Sequence, residues 1–312
     1  MSDTVATPPT EPAGKDTNAA SRPAAAALTT WRLTLEYDGR GYSGWQRQTN
    51  ALSVQEVVED ALSKLMSEQR VIIHAAGRTD AGVHALGQVI SFRTPLPRTP
   101  LAVRLGLNTR LPDDIAVVDA TPAHPSFHAR YSATGKTYRY LVLDRPDRSP
   151  FWASRAVYLR QSIDWEKVDA ALPSFLGRHD FSAFRGPGAR QRSPIRVIES
   201  IEHRREGGLH VIEVTGPGFL RYQVRIMVGT LIDIGLGRLP VESVATALGT
   251  GSREAAGRTA PAHGLYLVSV RYPEGLLHAP TPEGALPEIR LDEAVAEEPE
   301  RSDLEADEGD ED

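Results

Sequence analysis

The run Gly77-Arg78-Thr79-Asp80-Ala81-Gly82-Val83-His84-Ala85 concentrates the residue types that do chemistry. It follows directly on an apolar stretch ending at Ala76. Small residues at positions 77, 81 and 82 let a ligand approach the backbone, and Asp80 sits among them with Arg78 two residues back. A carboxylate held near guanidinium groups is expected to keep a depressed pKa and stay ionised. That suits a nucleophile, or an electrostatic stabiliser of a cationic sugar, the task carboxylates perform in glycosidases. An Asx turn with a surface ion pair uses the same residues, so the run alone leaves both readings open.

Other chemistries lack their parts. The chain has no cysteine, which removes disulfides, thiolate metal sites and a thiol nucleophile, and its nine histidines show no H-E-x-x-H spacing. Gly135-Lys136-Thr137 ends like a phosphate-binding loop, but the earlier glycine such a loop needs falls at Arg130. Gly41-Tyr42-Ser43-Gly44 lacks the closing glycine of a nucleophile elbow, and no dinucleotide fingerprint follows a strand. Carboxylates, hydroxyls, His, Lys and Arg remain.

The elements that must position Asp80 read from periodicity. Residues 31–37 alternate as a strand that runs into the turn signal Asp38-Gly39 and then the aromatic-rich Tyr42, Trp45 and Gln46. Ser53 offers an N-cap, with Glu56 as its capping-box partner. The helix that follows carries Val54, Val57, Val58, Ala61, Leu62 and Leu65 at a helical period. Residues 71–76 and 88–93 read as strands flanking 77–87, residues 101–107 as a short helix and 115–120 as a strand, giving β-α-β-β-α-β. The second half repeats that vocabulary loosely: strands at 136–143, 197–203, 210–215 and 264–272, helices at 165–176, 222–234 and 241–248. The expected fold is α+β, two RRM-like or ferredoxin-like units whose antiparallel sheets join into one larger sheet, with helices on one face and a cleft between the halves. The expected domains are residues 29–130, carrying Asp80, and residues 131–274.

Flanking segments 1–28 and 275–312 lack periodicity and are expected to be disordered tails. Charge divides accordingly. The whole chain is net -6, yet residues 275–312 hold 14 acidic and 2 basic side chains, and residues 1–30 hold 3 and 2. That leaves 24 acidic and 31 basic residues in 31–274, a body of net +7. A basic, arginine-rich body is the footprint of a protein that meets phosphate backbones, although a solvated surface has the same composition. Arg47, Arg110, Arg130, Arg139, Arg185, Arg190, Arg192 and Arg221 are the phosphate-binding candidates. Neither a run of about 18 apolar residues nor a secretory signal is visible, so the cytoplasm is the expected address.

Residues 77–85 resemble the catalytic motif of the tRNA pseudouridine synthase A (TruA) family. Three further segments resemble it in the same order. Tyr37-Asp38-Gly39 with Tyr42-Ser43-Gly44-Trp45-Gln46 is similar to the opening strand and loop, and Phe127-His128-Ala129-Arg130 with Lys136-Thr137-Tyr138-Arg139-Tyr140 to the central strand. Phe219-Leu220 through Val224-Arg225 to Val228-Gly229 is similar to the late helix. The resemblance spans roughly residues 31–272. It implies an isomerase in which Asp80 is the nucleophile, Tyr138 positions the target uracil, Arg225 pairs with Asp80, and Arg78 helps hold the RNA open. It further implies a homodimer gripping one tRNA, with anticodon stem-loop uridines around positions 38 to 40 as targets.

The reaction so implied cleaves the N1 to C1′ bond, rotates the uracil and rejoins it through C5 with loss of the C5 proton. Nothing is gained or lost, so no redox cofactor or metal is called for. Attack at C1′, addition to the base and abstraction of a sugar proton all fit an aspartate as first steps. Two alternatives use the same body: a pseudouridine synthase for another RNA, and a non-catalytic RRM-like binder. Asp80 speaks against the binder, which has no use for an anion facing phosphates.

Overall fold

The computed structural model describes residues 28–67, 70–188 and 193–279. Of the tails expected over 1–28 and 275–312, residues 1–27 and 280–312 lie outside the described residues, as do Arg190 and Arg192; residues 275–279 instead belong to the packed body. The first half runs β1 (Thr29–Tyr37), α1 (Val54–Met66), β2 (His74–Ala75), β3 (His84–Thr94), α2 (Pro100–Asn108) and β4 (Ile115–Pro122). The second runs β5 (Gly135–Asp144), β6 (Val157–Leu159), α3 (Trp165–Ala171), β7 (Gly177–Asp180), β8 (Ile195–Ile198), β9 (Ser200–Glu206), β10 (Leu209–Gly216), α4 (Gln223–Gly235), α5 (Ser243–Thr250) and β11 (Leu265–Arg271).

Local chemistry explains most of these boundaries. Ser53 caps α1 by accepting from the Glu56 N–H at 3.3 Å, and Thr99 caps α2 by accepting from the Ala102 N–H at 3.2 Å ahead of Pro100. The capping box at α1 is half made, since the Glu56 carboxylate turns to Arg47 at 3.4 Å instead of back to its cap. The helix expected over 165–176 stops at Ala171, and a 3-10 turn (Leu172–Phe175) takes over at Pro173, which has no N–H to continue an α-helix. The strand expected over 197–203 divides into β8, which pairs with β7, and β9, which pairs with β10. The strand expected over 71–76 shrinks to β2, paired with Ser91 and Ile90.

Among the described residues, nine strands form one mixed sheet in the order β4-β1-β3-β11-β5-β10-β9, with β2 on β3 and β6 on β5. The chain's last strand, β11, enters between the halves. It runs parallel to β3 and antiparallel to β5. Leu267 of β11 is therefore in register with Ala85 on one side and Tyr138 on the other. This seam brings the segment just ahead of β3, which holds Asp80, to within two strands of Tyr138.

Among the described residues, all five α-helices contribute to one buried cluster. Leu62, Leu107, Val168, Ile226 and Val244 share it with Leu33 of β1, Ile90 of β3, Tyr140 of β5 and Leu267 of β11. Alternation along the strands sends their other residues elsewhere: Val89, beside Ile90, joins Ala76, Ala123, Phe127 and Ala129 in a smaller cluster. Leu276 packs on that cluster, and the Ala279 N–H donates to the Pro122 carbonyl at 3.2 Å.

Leu267 is fully buried at the seam. Leu267→Ala is expected to cost about 2–5 kcal/mol through lost transfer energy and a residual cavity, read as a lowered urea midpoint with an unchanged slope.

Candidate active site

Asp80 lies in a loop held from three sides by the opening segment after β1. The Trp45 N–H donates to the Thr79 carbonyl at 3.0 Å, and the Tyr37 hydroxyl meets the Thr79 hydroxyl at 2.8 Å. The Gly39 N–H donates to His84 Nδ1 at 3.2 Å. Two of the contacts tolerate only glycine. A Cβ on Gly39 would sit 2.0 Å from the Val83 carbonyl oxygen, and Gly44, at φ +95°, would place one 2.8 Å from the Thr79 oxygen. The loop is thus fixed on either flank of Asp80, at 79 and at 83–84. Burial pushes the Tyr37 phenol up to about 12, so it stays a neutral hydrogen-bonding group. Burial likewise lowers His84, which stacks on Tyr266 at 4.7 Å and serves Gly39 as a neutral acceptor.

Arg225 closes on Asp80 from the other half of the chain. Its Nη1 donates to Asp80 Oδ2 at 3.2 Å. Among the residues of α4, Arg225 alone is not buried outright; the rest of the helix is packed all round. Three contacts aim its guanidinium. Nε donates to the Ala260 carbonyl at 2.8 Å, the Ala260 N–H returns a bond to the Arg225 carbonyl at 2.9 Å, and the group lies 4.9 Å from the centre of the Tyr222 ring. Tyr222 caps α4 in the left-handed region at φ 62°, an uncommon setting for a bulky residue. Its ring carries Arg221 as well, at 4.8 Å.

Tyr138 is buried on β5 and meets Phe219 edge-on with ring centres 5.2 Å apart. Burial raises its phenol above the ordinary tyrosine value, helped by Tyr37 and by the nearby charge of Asp80. Asp80, Tyr138 and Arg225 are therefore gathered at one place, from residues up to 145 positions apart. Arg78 is exposed, and among the described residues it has no ion pair with Asp80. The expected depressed pKa of Asp80 is corrected: burial outweighs the pull of Arg225 and, more weakly, Arg221, and holds the carboxyl above its usual value. The expectation failed because it counted neighbouring charge without desolvation.

The nominated arginines fall into distinct settings. Arg47 is met by Glu56, Glu59 and Asp60, and Arg139 by Glu213 at 2.9 Å, so carboxylates already occupy both. Arg110 folds back on the Gly106 carbonyl at the end of α2. Arg130 lies 5.6 Å from the ring of the exposed Tyr131. Arg221 donates to the Pro187 carbonyl at 3.1 Å and faces the Asp80 side of the site. Tyr222 and Phe219 carry no weight in the sequence reading as site residues. A positive φ leaves no trace in residue type, whereas the Phe219-Leu220 motif marked its neighbourhood. Among the described residues, no group of three or more His, Asp or Glu could hold a metal ion.

A raised carboxylate pKa means that folding disfavours the charge. The ionised form of Asp80 therefore subtracts stability above the folded-state pKa, and that loss disappears as pH falls through it. Asp80→Asn is expected to melt at the same or a higher temperature than the parent at pH 7, with the difference closing on acidification. A lower melting temperature for the variant at pH 7 would show that the pair with Arg225 stabilises the fold.

The sequence profile described as tRNA pseudouridine synthase matches residues 34–132 and 171–273. A tRNA pseudouridine synthase A of Syntrophotalea carbinolica is 46% identical over 245 residues, covering 78% of this chain and 97% of that protein. That of Pelobacter propionicus is 45% identical over 245 residues, covering 78% and 100%, and that of Acidiphilium cryptum 46% over 247, covering 78% and 97%. Among solved structures, a Cbf5-Nop10-Gar1 complex aligns with a TM-score of 0.28 at 12% identity over 76% of this chain and 57% of that one. The profile spans both halves of the chain, on either side of the seam that joins Asp80 to Arg225. With three relatives above 40% identity along nearly their whole length, this chain belongs to the tRNA pseudouridine synthase family, a family of isomerases.

Proposed function

We propose that the protein isomerises uridine to pseudouridine in tRNA, at anticodon stem-loop positions around 38 to 40, with the Asp80 carboxylate as nucleophile. The observation that carries this reading is the Asp80 to Arg225 contact at 3.2 Å, set in a loop clamped on both flanks and next to the buried ring of Tyr138. A carboxylate kept from bulk water is poorly solvated and therefore reactive. Arg225, fixed by Ala260 and Tyr222, holds it in one orientation without removing its charge.

The target uridine has to leave its stack, at a cost of a few kcal/mol that aromatic and phosphate contacts offset. Tyr138 supplies the aromatic surface, braced by Phe219, and its raised pKa keeps it protonated through the reaction. Arg78, exposed beside the loop, is placed to meet the RNA and not Asp80. The N1 to C1′ bond breaks, the uracil turns while held, C5 bonds to C1′, and the C5 proton leaves to solvent or a nearby base. Serving neighbouring uridines with one aspartate requires the RNA to flex, so recognition rests on shape more than on base identity. Two RRM-like units at 29–130 and 131–274, a homodimer gripping the tRNA and a cytoplasmic location belong to the same reading. The β-α-β-β-α-β order of the first half supports the first of these.

Purified protein incubated with unmodified tRNA is expected to yield pseudouridine in the anticodon arm, mapped by chemical adduct sequencing. Asp80→Asn should bind that tRNA normally and yield none, and full activity in the variant would remove the mechanism. Modification confined to another region of the tRNA or to other RNAs would move the target and leave the chemistry standing. With Asp80 required as the anion, the acid limb of the single-turnover rate should fall above the ordinary aspartate value, following the raised pKa.

A further inference from the structure

Lys136 occupies the same strand face as Tyr138, two residues and about 7 Å away along β5. Its ammonium lies against the start of the catalytic loop: a Cβ built on Gly77 would be 3.3 Å from Nζ. The side chain is half-buried. Among the described residues it has neither a salt bridge nor a hydrogen-bond acceptor. Asp80, the nearest functional carboxylate in sequence, is already engaged by Arg225, and Lys136 is not among the groups that set its ionisation. Its electrostatic neighbour is instead Arg130, another cation with no carboxylate partner among the described residues, and burial together with Arg130 weakens its hold on its proton.

A half-buried ammonium next to a guanidinium, without an anion, is an unfavourable arrangement that an incoming anion relieves. RNA brings one. A uracil placed on Tyr138 carries its ribose and adjoining phosphates with it, and a four-carbon side chain two residues along the strand is long enough to meet that backbone. Resting on the reading that RNA is bound here, we infer that Lys136 is a substrate-binding residue whose ammonium takes a backbone phosphate beside the extruded uridine. Arg130 is its neighbouring positive group and Arg78 follows Gly77 in sequence, whereas Arg47 and Arg139, neutralised by carboxylates, do not belong to this track. Lys136 thus fixes the position of the nucleotide and does not take part in bond breaking.

The test uses the full chain and an unmodified tRNA transcript. Affinity is measured against salt concentration for Asp80→Asn and for the double variant with Lys136→Met, so that no turnover intervenes. Loss of one phosphate contact is expected to reduce the log–log salt slope by about 1, with Lys136→Arg restoring it. In the Asp80 enzyme, Lys136→Met should raise KM and leave kcat near the parent value. A parental slope and KM in Lys136→Met, or a fall in kcat at unchanged KM, would overturn the inference. Should Lys136→Met melt early, Lys136→Gln replaces it under the same criteria, and failure of Lys136→Arg to recover binding in a stable fold counts against a phosphate contact. If the parent makes no pseudouridine in tRNA, the proposed function itself has failed, an outcome separate from indifference of the Lys136 variants in an active enzyme.

Discussion

One ion pair organises this molecule. Asp80 and Arg225 come from different halves of the chain and meet at 3.2 Å only because β11 threads between β3 and β5. Each alone is a poor tenant of its place. The carboxyl is pushed up by burial, and the arginine rises from a helix that is otherwise buried on every side. Neutralising one with the other lets both remain charged away from bulk water, where a carboxylate is more reactive and a guanidinium more strongly felt. Net stability from such a pair is small or negative, so its worth lies in the poised charge.

Holding that charge in place explains why the opening loop and the aspartate loop occur together in the sequence. Gly39 and Gly44 bring backbone against the 79–83 segment at distances that admit no side chain, and Trp45, Tyr37 and the Gly39 amide each add a hydrogen bond to residues flanking Asp80. A loop that is short, glycine-rich and exposed on one side would ordinarily wander. Here its ends are anchored to β1's exit and to the start of β3, which leaves Asp80 presented on a rigid support. The same logic holds at Arg225, where Ala260 and Tyr222 remove the side chain's freedom before any substrate arrives.

Much of this was legible in the residues. The 3.6-residue spacing of α1 and the alternation of β1 gave the first half in order, because both elements bury one face of a continuous core. Asp80 stands out in the residues of its own run, whereas Tyr138 and Arg225 follow only from resemblance, since no local pattern distinguishes Tyr138 from Tyr140 two residues on. What stayed hidden was non-local. The parallel seam between β3 and β11 depends on where the chain's last strand inserts, and sequence order says nothing of that. Tyr222 gives its ring a use through a left-handed backbone that its residue type disfavours. The direction of the Asp80 shift was misjudged for a related reason: charged neighbours are visible in sequence, and the depth of burial is not.

Net charge illustrates the same limit. A body of net +7 says that the protein can meet a polyanion, but not which arginines do so. Partner assignment is the sharper criterion. Arg47, with three acidic neighbours, and Arg139, with Glu213, spend their charge within the protein and add little field at the surface. Around the Asp80 loop the balance reverses. Arg78, Arg130 and Lys136 have no carboxylate partner among the described residues, and Asp80 is claimed by Arg225. An uncompensated positive rim around a compensated pair would draw a phosphate backbone to the rim and leave the carboxylate facing a sugar. Under the proposed function that division suits a reaction on one nucleotide of a polyanion, since an unshielded aspartate would repel the strand.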